Sequence, residues 1–275
     1  MIIPRITQNK TESNNEGSEP FNYYISWFQS GASGRVPIAE LPTDVTNPSN
    51  IVFVYETGNF INWDSEEVPS GGQSSSGKYG YDTLLFNRLA TNLGEPVNVV
   101  KHAIGGTAVK FATNTGNGDW NIASTQIFDN YPILRQRIIN AENYIRQVLG
   151  KTPNLLAILT DGGETDSLQS DKDTFKTDFI NVINGFKSLA TWTNEPITIH
   201  RELGLNQNGV NQWMIDAQNE FANNDSQNGG IDDYYLIPNT GFTLLDTVHL
   251  DAQSVNSQAN QALVILENQL STLWK

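Results

Sequence analysis

The sequence predicts an α/β protein: a three-layer α/β/α sandwich with a mainly parallel central sheet. Three observations lead there. Short apolar runs alternate with helix-period segments from residue 22 to the end, and such alternation builds parallel βαβ units. The runs have strand length and composition, as in Ile51-Val52-Phe53-Val54-Tyr55. Hydrophobic residues make up 38% of 275 residues, enough to fill the core of one large domain.

Taken in order, residues 7–19 are polar throughout and read as a flexible tail or anchor. Residues 1–20 are therefore set apart from a folded domain over 21–275. Asn22–Gln29 holds Tyr23, Tyr24, Ile25, Trp27 and Phe28, a strand by composition. Ile51–Tyr55 is a short buried strand, and residues 62–80 are a Gly/Ser-rich loop. Tyr81–Leu93 sets Leu84, Leu85, Leu89 and Leu93 at helical spacing, with Gly94 as the stop. Val97–Ala103 is a strand. Residues 132–149 form a helix on Ile133, Ile138, Ile139 and Ile145. Asn154–Leu159 is a strand, and residues 172–190 a helix whose apolar face is Phe175, Phe179, Val182, Ile183 and Phe186. Glu195–His200 is a strand, Val210–Phe221 a helix and Tyr234–Ile237 a short strand. Ala252–Leu273 closes the chain as a helix on Val255, Ala259, Leu263, Leu266 and Leu270.

Charge and composition exclude several classes. The 16 Lys and Arg face 30 Asp and Glu, a net charge of −14, which repels phosphate backbones and argues against a nucleic-acid partner. The chain has no cysteine, which excludes disulfides, thiolate nucleophiles and Cys-based zinc sites. No apolar run approaches membrane-spanning length. Near the start only Ile2-Ile3 precedes polar sequence, without the apolar core of a signal peptide. The expected location is cytoplasmic, or outside a cell by another route, for instance on a virus particle or by lysis. Oligomeric state is not legible.

Sites in such sheets form at the carboxyl ends of strands, so the residues after each strand matter most. Ser30 follows the first strand in Phe28-Gln29-Ser30-Gly31-Ala32-Ser33-Gly34-Arg35, where a sharp turn would present its hydroxyl as a nucleophile. The plainer reading is a polar turn. Lys101-His102-Ala103-Ile104-Gly105-Gly106-Thr107 ends another strand, and its glycines let backbone N–H groups approach a substrate oxygen. A tight turn is the plainer reading. Thr160-Asp161-Gly162-Gly163-Glu164-Thr165-Asp166 places three carboxylates around two glycines. It reads as a solvated acidic loop or, more remotely, a divalent-metal site. In Asp246-Thr247-Val248-His249 a carboxylate and an imidazole stand three residues apart, close enough for the acid to fix the ring tautomer. A helix-capping turn is the plainer reading. His102 and His200 compete as bases.

The ordered set resembles the SGNH hydrolases, in the branch of sialate O-acetylesterases and acetylxylan esterases. That branch shows GQSNxxGR, KxxIGGT, WxQGExD and DxxH in this order. Here the matching stretches are residues 28–35, 101–107, 162–166 and 246–249, and the resemblance spans about residues 21–270. Three positions depart: Phe28 stands for the first Gly, Gly31 for the Asn and Gly162 for the Gln. The resemblance implies a serine ester hydrolase that removes O-acetyl groups from a carbohydrate, with Ser30, Asp246 and His249 as its triad. It also implies an oxyanion and substrate set of Gln29, Gly31, Gly105, Gly106, Thr107, Gly162 and Glu164, with neither cofactor nor metal. The competing reading is a non-catalytic glycan-binding or structural module on the same fold, such as a phage-particle component. Gly72-Gln73-Ser74 is a literal GQS, but no strand runs into it and it misses the spacing to the closing Gly-Arg. Trp63 and Trp120 fall in loops, either stacking on sugar faces or packing beneath the loops.

Overall fold

The computed structural model describes residues 19–45, 52–56, 58–62, 77–111, 117–124, 129–203, 205–206, 209–222, 230–246 and 248–273. The strands are β1 (Pro20–Phe28), β2 (Val36–Pro37), β3 (Val52–Glu56), β4 (Asn59–Asn62), β5 (Lys78–Tyr79), β6 (Val97–Ala103), β7 (Thr152–Asp161), β8 (Ile197–Arg201), β9 (Leu205–Asn206), β10 (Gly209–Val210) and β11 (Tyr234–Ile237). The helices are α1 (Ser30–Ser33), α2 (Tyr81–Leu93), α3 (Asn130–Gln147), α4 (Glu164–Gln169), α5 (Lys172–Leu189), α6 (Gln212–Phe221) and α7 (Ala252–Leu273).

Seven strands form one sheet in the order β11-β8-β7-β1-β6-β3-β4. Every pairing is parallel except the β3–β4 hairpin, which adds an antiparallel edge. Two short antiparallel ribbons, β2–β5 and β9–β10, lie outside the sheet. The chain runs from β1 outward to β3 and β4, returns to β6, crosses β1 to β7, and continues to β8 and β11. The direction of winding therefore reverses around β1, and the crevice at its carboxyl end is where such sheets bind ligands.

Helices cover both faces, which gives the three layers. Leu84, Leu85 and Leu89 of α2 and Ala259, Leu263, Leu266 and Leu270 of α7 pack on one face, against Val52, Val99 and Ile199. On the other face, α3, α5 and α6 send Ile138, Phe179 and Phe221 against Ile25, Trp27 and Ile158. The alternation within β1 decides the sides: Tyr23, Ile25 and Trp27 point one way and Tyr24 the other. Because β1 is buried on both faces, it reads as a nearly continuous apolar run.

The predicted helices and sheet strands are all present, with ends displaced by at most two residues. What the periodicity missed are short pieces. The α1 and α4 turns are too brief to carry a 3.6-residue pattern, and β4 has exposed asparagines at both ends. Residues 7–18, the Gly72-Gln73-Ser74 run and Trp63 lie outside the described residues.

Phe179 sits at the centre of the α5 face, fully buried. Its ring stacks on His200 at 4.9 Å and on Phe221 at 5.0 Å. Phe179→Ala should destabilise the fold by about 3–5 kcal/mol, read as a lowered urea midpoint with an unchanged slope. A loss below about 1 kcal/mol would show that this stack is not a core contact.

Candidate active site

Ser30 opens α1 immediately after β1. Its Oγ lies 2.7 Å from His249 Nε2, across 219 residues of sequence. On the far side of the ring, His249 Nδ1 lies 2.7 Å from Asp246 Oδ2. The three groups thus form one hydrogen-bonded line. It runs from buried Ser30 outward to Asp246, whose side chain is 48% exposed.

The loop that carries Asp246 and His249 is shaped from within. Leu244 and Leu250 form an antiparallel bridge, and Leu245 N–H donates to His249 O at 2.7 Å. Asp246 Oδ1 accepts the N–H groups of Val248 at 3.0 Å and His249 at 2.9 Å, as short acidic side chains do in turns. One carboxylate oxygen builds the turn while the other meets the ring. Burial works to raise the Asp246 carboxyl, but the Val248 N–H, the His249 ring and the His249 N–H outweigh it and hold it down to about 2. An ionised carboxylate only accepts hydrogen bonds. The imidazole proton therefore sits on Nδ1, which leaves the Nε2 lone pair facing the Ser30 hydroxyl. Asp251 then starts α7, its Oδ1 accepting the Ser254 N–H at 2.8 Å, a helix N-cap.

The glycine turn after β6 flanks Ser30 on its other side. Ile104 N–H donates to Phe28 O at 2.9 Å and fastens this turn to the end of β1. A Cβ built on Gly105 would lie 2.2 Å from Arg35 Nη2 and 3.4 Å from Ser30 Cβ, so the bare glycine lets both groups approach the same backbone. Gly106 has φ +72°, a conformation that glycine adopts without strain. Thr107 Oγ1 donates to Ile104 O and accepts the Trp120 indole N–H, both at 2.8 Å. Its hydroxyl is thereby committed to holding the turn closed.

The segment after β7 completes the surround. Gln29 Oε1 accepts the N–H groups of Gly163 at 3.0 Å and Glu164 at 3.2 Å, tying α4 to the residue before Ser30. Gly31 is the second residue of α1. The three carboxylates of this segment do not converge, in contrast to the metal-site reading of an acidic loop. Arg201 Nη2 pairs with Asp161 at 2.9 Å and with Glu164 at 2.7 Å, and Gln258 Nε2 donates to Asp161 at 2.9 Å. Asp166, fully buried, turns away and accepts the N–H groups of Val109 at 3.1 Å and Lys110 at 3.2 Å. Among the described residues no group of three His, Asp or Glu side chains is placed to hold a metal ion. Arg35, Tyr79, Glu164, Arg201, His249 and Gln258 border a cavity of about 20 Å³, room for one water. Burial raises the Glu164 carboxyl, against the lowering pull of Arg201.

The two competing histidines are structural. His102 Nε2 bonds Asn130 Oδ1 at 3.0 Å. His200 lies between Tyr234 OH at 2.8 Å and Gly162 O at 3.1 Å, and burial lowers it to about 4, so it is neutral near pH 7. Trp120 is fully buried against Trp27 and Phe28 and packs beneath its loop; it offers no face to a sugar. Sequence reading missed Arg201 as an organiser of the site. A cation ending an apolar strand, as Arg201 does, was the available signal. Asp166 organises the loop after Gly106 through backbone groups 57 and 56 residues away.

No protein-family model and no curated protein sequence matches the chain. Among solved structures it superposes on a protein from Arabidopsis thaliana with a TM-score of 0.65 at 17% identity, over 92% of this chain and 99% of that one. It superposes on NanS with a TM-score of 0.63 at 11% identity, over 92% and 98%. A carbohydrate acetylesterase from Xanthomonas citri matches with a TM-score of 0.55 at 10% identity, over 88% of this chain and 55% of that one. These likenesses show the fold alone: the three-layer α/β/α sandwich expected from the sequence.

Burial pushes the Asp166 carboxyl up to about 8, against the N–H groups of Val109 and Lys110 that work to lower it. In an unfolded chain it would titrate near ~3.9. The folded state thus holds an extra proton between about 4 and 8, and Asp166 weakens the fold as pH rises through that window. The His200 contribution is lost only as pH falls from about 6.5 toward about 4. Asp166→Asn should therefore flatten the fall of thermal midpoint between about pH 6.5 and 8. An identical slope in wild type and variant would show that Asp166 is ionised throughout.

Proposed function

We propose that this protein is a serine ester hydrolase that removes O-acetyl groups from a carbohydrate. The observation that carries the proposal is the line from Asp246 through His249 to Ser30, with 2.7 Å at each step. Nucleophile, base and orienting acid are in hydrogen-bond reach, which is how such sites are recognised on any fold. Two further points support it. The site lies at the carboxyl end of the central strand, and a fold neighbour is a carbohydrate acetylesterase.

The reaction follows from the proton positions. Ser30 Oγ attacks the acetyl carbonyl as its proton passes to His249 Nε2, and Asp246 stabilises the imidazolium formed. Backbone N–H groups at Ser30 and Gly106 receive the oxyanion, with Gln29 and the bare Gly105 holding the backbone around them in place. The C–O bond to the sugar breaks, and the leaving alkoxide takes the proton from His249. Water, deprotonated by the same imidazole, then attacks the acetyl-Ser30 ester and releases acetate. The chemistry asks for no cofactor. Glu164 and Thr107 serve as organisers, Glu164 through Arg201 and Thr107 through Ile104.

Ser30→Ala should lower p-nitrophenyl acetate hydrolysis by at least about 10⁴-fold while thermal midpoint and near-UV circular dichroism stay those of wild type. A fluorophosphonate should label wild type at Ser30 and spare the variant. Acetyl esters should be preferred over longer acyl chains. Undiminished hydrolysis in Ser30→Ala would end the assignment, and absence of both hydrolysis and labelling in wild type would leave a glycan-binding module.

A further inference from the structure

Strand β1 alternates faces as far as Trp27 and then breaks its own pattern. Tyr24 packs toward α2, and Ser26 reaches Asp82 of that helix at 2.7 Å. Phe28 is due on the same side. Its ring lies instead with Trp27 on the opposite side, stacked at 4.7 Å with 20° between planes. It also meets Trp120 edge-on at 6.2 Å and Phe179 at 6.3 Å. The backbone cause is φ +108° at Phe28, in a region that favours glycine and disfavours a bulky side chain. Such a conformation persists only where the surroundings over-determine it. Here the ring is fully buried, Phe28 O accepts from Ile104, and the next N–H, that of Gln29, donates to Asp161 O at 3.0 Å.

Gly162 supplies the other half. A Cβ built there would lie 2.7 Å from both Cγ and Cδ1 of Phe28 and 2.8 Å from Gln29 Cβ. Real Cβ atoms do not approach that closely, so any side chain at 162 must push the ring and Gln29 aside. Gln29 is the residue before Ser30, and its amide holds the start of α4.

We infer that the Phe28 ring seated against Gly162 is a positioning device that aims Ser30 at His249. Neither residue touches reacting atoms. The inverted Phe28 turns the strand by one face, and the ring, locked between Trp27, Phe179 and the bare Cα of Gly162, keeps that turn in place. This explains why two departures from the motif pattern occur together: the ring occupies the volume that a side chain at 162 would need. The inference rests on the esterase reading.

A double-mutant cycle on p-nitrophenyl acetate tests it, with thermal midpoints and fluorophosphonate labelling rates measured alongside. Gly162→Ala should lower kcat by about 100-fold, as small misplacements of a nucleophile do, with KM within about threefold. Phe28→Gly keeps the backbone conformation and vacates the ring's space, leaving only the Gln29 contact. Adding Gly162→Ala to it should therefore cost at most about tenfold in kcat and in labelling rate, well short of the loss in wild type. Should Gly162→Ala alone fail to fold, recovery of folding and labelling in the double variant supports the pairing. Equal losses from Gly162→Ala in both backgrounds, no loss in wild type, or a double variant that fails to fold where Phe28→Gly folds would overturn it. A wild-type protein that neither hydrolyses nor labels fails the esterase reading instead, and the positioning role falls with it.

Discussion

The carboxyl end of β1 is the constraint on which the site depends. There the strand is held on both sides at once, by Ile104 N–H on Phe28 O and by Gln29 N–H on Asp161 O. Those two bonds bring the glycine turn after β6 and the acidic segment after β7 to the same place as Ser30. A central parallel strand can do this because it has a neighbour on each side and is buried on both faces. Only the fourth contributor, the Asp246–His249 loop, arrives from outside the three central strands. It is shaped by its own Asx-type turn, by the Leu244–Leu250 bridge and by the capped start of α7.

Buried charge stiffens this arrangement. Arg201 sits between Asp161 and Glu164, with Gln258 of α7 taking the remaining Asp161 oxygen. On the same side of the sheet, Lys101 pairs with Asp82 at 2.8 Å, and Ser26 shares that carboxylate. Such networks are weak contributors to net stability, because desolvation offsets most of the Coulombic gain, yet removing one partner costs about 3–5 kcal/mol. Their effect is to penalise any rearrangement that would separate β1, β6, β7, β8 and the two helices that meet beneath the site. Asp166, whose carboxyl burial keeps protonated up to about pH 8, fastens the loop after Gly106 by accepting backbone N–H groups.

The departures from the motif pattern divide into two kinds. Phe28 and Gly162 explain one another, since the ring fills space that Gly162 leaves empty. Gly31 lies in the short α1 turn. In the proposed reaction, backbone oxyanion donors would carry more weight here than in a site with an amide side chain at position 31.

Much of the fold was legible from residue order because it depends on local periodicity. Leu84, Leu85 and Leu89, or Phe175, Phe179 and Val182, announce a helix by spacing alone, and the alternation of strands and helices dictates a parallel sheet with two covered faces. The ordered motifs likewise marked which strand ends to inspect. Tertiary structure decided the rest. Residue order favoured His249 through its Asp246 partner but left His102 and His200 as competitors; packing buried those two on structural partners and brought His249 within 2.7 Å of Ser30. Whether Trp120 faces a sugar or a core depends on what closes over its loop. The inversion at Phe28 runs against its own residue type and persists through contacts with residues distant in sequence. The physical reason is range: spacing governs neighbours a turn apart, whereas protonation, burial and strain are set by whatever the folded chain places within a few ångströms.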